Sequence, residues 1–267
     1  MEKGTGSSPA ELYDAEGTLV PERFDAFLRD EGVDLALLLA EYSPRVTGIQ
    51  PAEDMVPLVK HNPRRMRLIA NLNPHLHHPI VAELERQLEM GAVGLKIHPV
   101  HGGFPANSRE LYPAYAQCER AGVPVVFHCG TSVFPGAVNR FADPALIEDV
   151  AKDFPELKIV LAHGGRGWWY DAAAFISLMR PNVWIELSGL PPRKLPSYYA
   201  NFDLERLAQK FIFGADWPGV PGIRSNALEV SELGLATRTL ERIFFRNALD
   251  VYRLEDAWVT RSHEDGS

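Results

Sequence analysis

Residues 123–130 read VPVVFHCG, an unbroken apolar run that ends at a histidine, a cysteine and a glycine. A strand with one wet face alternates apolar and polar residues, whereas an unbroken run fits a parallel strand covered on both faces. The same pattern recurs in VDLALLLA (Val33 to Ala40), MRLIANL (Met66 to Leu72), VGLKIHP (Val93 to Pro99), LKIVLAH (Leu157 to His163), VWIELSG (Val183 to Gly189) and KFIFGAD (Lys210 to Asp216). Amphipathic stretches of helical period separate these runs, at Pro21 to Asp30, Pro79 to Met90, Leu111 to Ala121, Pro144 to Phe154 and Ala236 to Ala248.

Strict strand-helix alternation leaves two architectures, an open doubly wound sheet or a closed barrel. The strand ends choose between them. They carry His98, His128, His163, Ser188 and Asp216, and only a barrel gathers side chains from five strands at one mouth. No GxGxxG follows the first strand, as a dinucleotide-binding sheet would show. The expected fold is therefore an α/β TIM-type (β/α) barrel, one domain over residues 1–267, with an N-terminal tail of about twenty residues that is poorly structured.

Composition narrows the function classes. The 267 residues are 46% hydrophobic, enough for one large core, and the formal net charge of -8 with no Lys/Arg cluster argues against nucleic acid. Cys118 and Cys129 are too few for a disulfide framework, which suits a reducing cytoplasm. The first residues, MEKGTGSSPAELYDAEGT, lack an apolar signal segment, and nowhere do eighteen apolar residues run together, so no membrane is expected. An acidic cytoplasmic enzyme is the expectation.

Three strand-end residues point to metal chemistry. His128, His163 and Asp216 each follow a short apolar run and precede a glycine or tight turn, and imidazole and carboxylate are the usual ligands of zinc or manganese. His128 reads as a metal ligand, His163 as a general acid or base, and Asp216 as a base that can also bind the metal. Lys96 and His98, two apart in one strand, share a face toward the interior. They can contact a substrate carboxylate; alternatively Lys96 carries a metal-bridging carbamate or forms a structural ion pair with Glu41 or Glu186. In GGRGWWYD, Arg166 can grip a carboxylate, and Trp168 or Trp169 can stack on a ring or merely cover a helix-strand junction. Arg193 offers the same contact less specifically. Cys129 alternates away from His128 and is a poor nucleophile, Cys118 reads as packing, and His75, His77 and His78 read as loop residues.

The stretches GAVGLKIHP, VPVVFHCGTSVFPG, LKIVLAHGG and KFIFGADWPG resemble the amidohydrolase-related (ACMSD-like) branch of the amidohydrolase superfamily, from about Val33 to Leu254. The resemblance implies an eight-stranded barrel with one divalent metal, zinc first or manganese, in enzymes that hydrolyse, hydrate or decarboxylate small carboxylated substrates, some of them aromatic. It implies a metal-binding role for His128 and Asp216 and a catalytic role for His163. The family's HxH pair on strand one is absent. The first apolar run follows a helix and so ranks as strand two, with the missing strand expected before Met1 in a gene begun at an internal methionine. Otherwise the N-terminal tail takes its place, or the chain is a metal-poor relative that binds a metabolite or partner. Relatives that associate make a homodimer an expectation.

Overall fold

The computed structural model describes residues 9–220 and 222–254. Seven of its nine strands form one parallel curled sheet: β1 (Ala36–Leu39), β4 (Met66–Leu72), β5 (Ala92–Ile97), β6 (Val125–Gly130), β7 (Ile159–Arg166), β8 (Val183–Glu186) and β9 (Phe211–Ile212), in that spatial order. The other two, β2 (Glu41–Ser43) and β3 (Gly48–Gln50), pair antiparallel in a hairpin directly after β1. The seven sheet strands coincide with the seven apolar runs.

Register explains why the runs are apolar throughout. Ile97, Phe127, Leu161, Ile185 and Phe211 pair across successive strands and point outward against the helices. Asn71, Lys96, Val126, Val160 and Trp184 form one row on the opposite, concave face, and His128, Ala162, Glu186 and Ile212 form the next. Side chains of neighbouring parallel strands in register share a face, so Lys96, His128 and Glu186 must all look inward. The lower part of that face is filled by Ile69, Val126, Val160 and Ile212 together with Val251 and Tyr252 of the last helix and Leu254 just after it. The chemistry is thus confined to the carboxyl end.

Helices cover the outer face where the amphipathic stretches lie: Pro21–Asp30, Ile80–Glu89, Tyr112–Ala121 and Pro144–Asp153. The stretch read from Ala236 to Ala248 divides into Thr237–Glu241, a π-helical turn at Arg242–Arg246, and Asn247–Tyr252. Among the described residues β1 and β9 are the two ends of the sheet. The helix Pro21–Asp30 leans across that gap, with Phe24 and Phe27 each 5.3 Å from the Trp217 ring.

The tail is more ordered than expected. Residues 1–8 lie outside the described residues, but Leu12 is buried, Tyr13 bridges Leu19, and Arg23 donates to the carbonyls of Glu11 and Tyr13. Among the described residues of this segment, Tyr13 pairs with Leu19 and none joins the seven-stranded sheet.

Candidate active site

A row of four imidazoles crosses the carboxyl end of the sheet. His101 stacks on His98 at 3.9 Å between ring centroids and 16° between planes, His98 on His128 at 4.3 Å and 24°, and His128 meets His163 edge-on at 4.5 Å. All four rings are buried. His128 lies in β6, two residues before its end, and His163 lies in β7, three residues before its end, with φ +69°. His98 follows β5 as the residue before a short helix, Pro99–Gly102, and this turn returns His101 over it.

Burial removes the water that would solvate a charged imidazolium, so all four are held neutral. Burial, aided by Lys96 and His101, keeps His98 well below the ordinary histidine range, and burial with His98 and His163 does the same to His128. His101 is pushed down to about 4 by burial and then Lys96. His163 is pushed down to about 3 by burial, against the opposing pull of Asp216.

Carbonyl partners fix two of the tautomers, because a carbonyl only accepts. His163 Nδ1 donates to Ser188 O at 2.8 Å, leaving a bare lone pair at Nε2. His128 Nε2 donates to Gly130 O at 2.9 Å, leaving a bare Nδ1 that is buried without a partner. His98 Nδ1 is likewise buried without a partner.

The two ends of the row differ in charge. Beyond His163 stand Asp216 and Arg166, with NH1 3.9 Å from Oδ2. Arg166 also donates to Thr131 O from Nε and NH2 and to Gly189 O from NH1. Asp216 lies four residues past the short β9, not within a strand as its apolar run implied, and takes φ +63°. A non-glycine residue at positive φ is strained, and strain of this kind is commonly retained where a side chain must be aimed. Gly189 faces this pair and His163: a Cβ there would stand 2.7 Å from Asp216 Oδ2 and 3.2 Å from His163 Nδ1.

At the other end, beyond His101, stands Glu41 from β2. Thr47 Oγ1 donates to its Oε1 at 3.3 Å, and its Oε2 lies 4.0 Å from His98 Nε2. Ligand atoms of Glu41, His98 and His101 all lie within 4.8 Å of one another, and this is the group of metal-ligating side chains that meets so closely among the described residues. His128 and Asp216, the two expected metal ligands, are not in it. Two imidazoles and one carboxylate are a donor set that zinc accepts, so the mouth fits a divalent ion.

Beneath the row lie Lys96 and Glu186. Burial lowers the pKa of Lys96, opposed by Glu186, Asp216 and Glu41, so its charge is balanced by several carboxylates at a distance. Burial raises Glu186 to about 7; it accepts from Ser188 N at 2.9 Å and from Ser188 Oγ at 2.6 Å. Ser188 thereby links Glu186 to His163.

Other candidates stand apart. Arg193 is exposed and pairs with Glu229 at 3.1 Å. Trp168 is exposed beside Trp169, where a cleft of about 440 Å³ also includes Tyr170, Tyr198 and Asn201. Cys129 and Cys118 are buried, each thiol pushed up to about 12. His77 packs edge-on against Tyr42, and His75 against Phe104. The residue that reading the sequence missed is His101. Its signal was the HxxH spacing in KIHPVHGG, which a proline-opened turn converts into a stacked pair.

Fold and mouth together define a class, the parallel α/β barrels whose carboxyl end gathers imidazoles and carboxylates. More particularly, this chain belongs to the amidohydrolase family, whose profile matches residues 5–254. A 2-keto-4-carboxy-3-hexenedioate hydratase of Sphingobium sp. is 31% identical over 114 residues, 37% of this chain; the match spans 33% of that protein's length. Among solved structures, an uncharacterised TIM-barrel protein of Bordetella bronchiseptica superposes with TM-score 0.73 at 22% identity, covering 88% of this chain and 83% of that one. A 5-carboxyvanillate decarboxylase of Novosphingobium aromaticivorans, complexed with manganese and 4-hydroxy-3-methoxy-5-nitrobenzoic acid, gives 0.68 at 16% identity, covering 88% and 81%. At such identities the structural likeness is one of fold.

Proposed function

We propose that this chain is a divalent-metal-dependent enzyme that decarboxylates, hydrates or hydrolyses a small carboxylated substrate, aromatic or unsaturated, with zinc or manganese as the ion. The observation that carries the reading is the row of four buried imidazoles, ended by a carboxylate on one side and a carboxylate-guanidinium pair on the other. The donors at hand for the ion are Glu41, His98, His101, His128 and Asp216. A bound ion would act as a Lewis acid on a substrate oxygen.

The protein's own groups do the rest. His163, neutral and with its proton held on Nδ1 by Ser188 O, presents Nε2 as a base that can later return the proton. Asp216 lies beside it to orient the substrate or share the proton, and Arg166 supplies a fixed positive charge for a substrate carboxylate. Lys96 lies below on the same face, its ammonium disfavoured by burial and favoured by the carboxylates of Glu186, Asp216 and Glu41. Closure of the lower face by Val251, Tyr252 and Leu254 restricts access to the carboxyl end.

Likeness to a hydratase and to a decarboxylase supports this range of chemistry. The test is turnover of a panel of aromatic carboxylates and unsaturated keto-dicarboxylates by the protein loaded with zinc or manganese, following carbon dioxide release and loss of conjugated absorbance. Activity that disappears in both His163→Asn and Asp216→Asn is expected. Binding of panel members without any turnover would favour a non-catalytic binding relative instead.

A further inference from the structure

We infer that Glu186 is the positioning residue of His163, acting through the Ser188 hydroxyl to keep the imidazole proton on Nδ1 and the lone pair on Nε2. This role rests on the proposed reading of His163 as the acid-base group and supplies what holds that group ready. The three side chains form an unbroken chain: Ser188 Oγ donates to Glu186 Oε2 at 2.6 Å and lies 3.1 Å from His163 Nδ1. Glu186 also holds the backbone that carries this hydroxyl. Its Oε1 accepts from Ser188 N at 2.9 Å, and Ser188 O is the carbonyl that meets His163 Nδ1 at 2.8 Å. Both acceptors facing Nδ1 thus belong to one buried residue that a single carboxylate grips twice. Room for that carboxylate is kept by Gly214, where a Cβ would overlap Oε1.

The proton directions follow from what each group can do. An ionised carboxylate only accepts, so the Ser188 hydroxyl proton points to Glu186 and Oγ turns its lone pairs to His163. Nδ1–H then donates to Ser188 Oγ and Ser188 O together, a three-centre bond. A neutral amide in place of the carboxylate can itself donate to Oγ. The hydroxyl proton is then released to turn toward Nδ1, where it favours the opposite tautomer and competes with Ser188 O. A wrong tautomer leaves the base in place but faces the substrate with a proton where a lone pair is needed.

The test reads the tautomer directly, without substrate. The full chain, free of metal and carrying nitrogen-15 in its histidines, is studied by NMR at pH 8.5, where Glu186, raised to about 7, is ionised. The His163 ring signals are those lost in His163→Asn, and circular dichroism confirms that each variant is folded. Wild type is expected to carry the His163 proton on Nδ1 and to exchange it slowly with solvent. Glu186→Gln and Ser188→Ala should each speed that exchange at least about 10-fold, the size of one lost hydrogen bond, and Glu186→Gln alone should populate the Nε2–H tautomer. Asn182→Ala, a destabilising change at the other end of β8, should leave the exchange within about 3-fold of wild type. A His163 proton on Nε2 in wild type, or wild-type tautomer and exchange in both Glu186→Gln and Ser188→Ala, would overturn the assignment. Where the substrate panel gives turnover, Glu186→Gln should lower kcat at least about 10-fold with KM within about 3-fold, and an unchanged kcat would overturn it too. A panel without turnover would count against the acid-base reading, while the tautomer and exchange still decide whether Glu186 positions the ring.

Discussion

Replacing Gly214 with alanine tests whether the space beneath the imidazole row is shaped around the Glu186 carboxylate. A Cβ at this position would overlap Glu186 Oε1 and stand 2.5 Å from Cδ and 3.1 Å from Ser188 Cβ. The carboxylate would have to retreat, losing the hydrogen bonds from Ser188 N at 2.9 Å and Ser188 Oγ at 2.6 Å. Hydrogen bonds to a charged group contribute about 1.5–3 kcal/mol each, so the pair sums to about 3–6 kcal/mol. In a chain of this size 1 kcal/mol moves the midpoint by about 2–4 °C, so thermal denaturation at pH 8 should show a fall of at least about 6 °C. Glu186→Ala removes the obstructed oxygen. In that background Gly214→Ala should cost little, giving a coupling above about 2 kcal/mol in the double-mutant cycle. A Gly214→Ala protein melting within about 2 °C of wild type, or equal costs in both backgrounds, would refute the reasoning.

Other consequences follow from the same geometry. Glu186 is raised from 4.5 to about 7, so the unfolded chain ionises first and wild type loses stability as pH rises through that window. Glu186→Gln should therefore gain on wild type between about pH 4.5 and 7 and run parallel outside it in urea titrations; a pH-independent difference would contradict the shift. Asn182 Nδ2 reaches the carbonyls of Ala151, Phe154 and Leu157 at 3.0–3.2 Å, and Asn182→Ala should cost about 2–3 kcal/mol, read from the denaturation midpoint. Both thiols, pushed up to about 12 by burial, should resist a disulfide-exchange reagent at pH 8 until the protein unfolds. Rapid labelling of the native protein would show that one of them is accessible.

The apolar runs were legible because a parallel strand buried on both faces leaves its mark in any sequence, independent of its neighbours. They located β1 and β4 to β9, and they marked His128 and His163, which the structure places within β6 and β7, two and three residues before the strands end. The hairpin of β2 and β3 left no such mark: with three residues in each strand it is too short for a period to show, and so Glu41 read only as a distant partner for Lys96. The stacking of His101 on His98 depends on how the chain turns back after β5, and the nearness of Glu41 to both depends on the hairpin folding over that turn. Local pattern records which residues are buried and on which face. Which of those buried side chains meet is set by interstrand register and loop return, and these are properties of the assembled sheet alone.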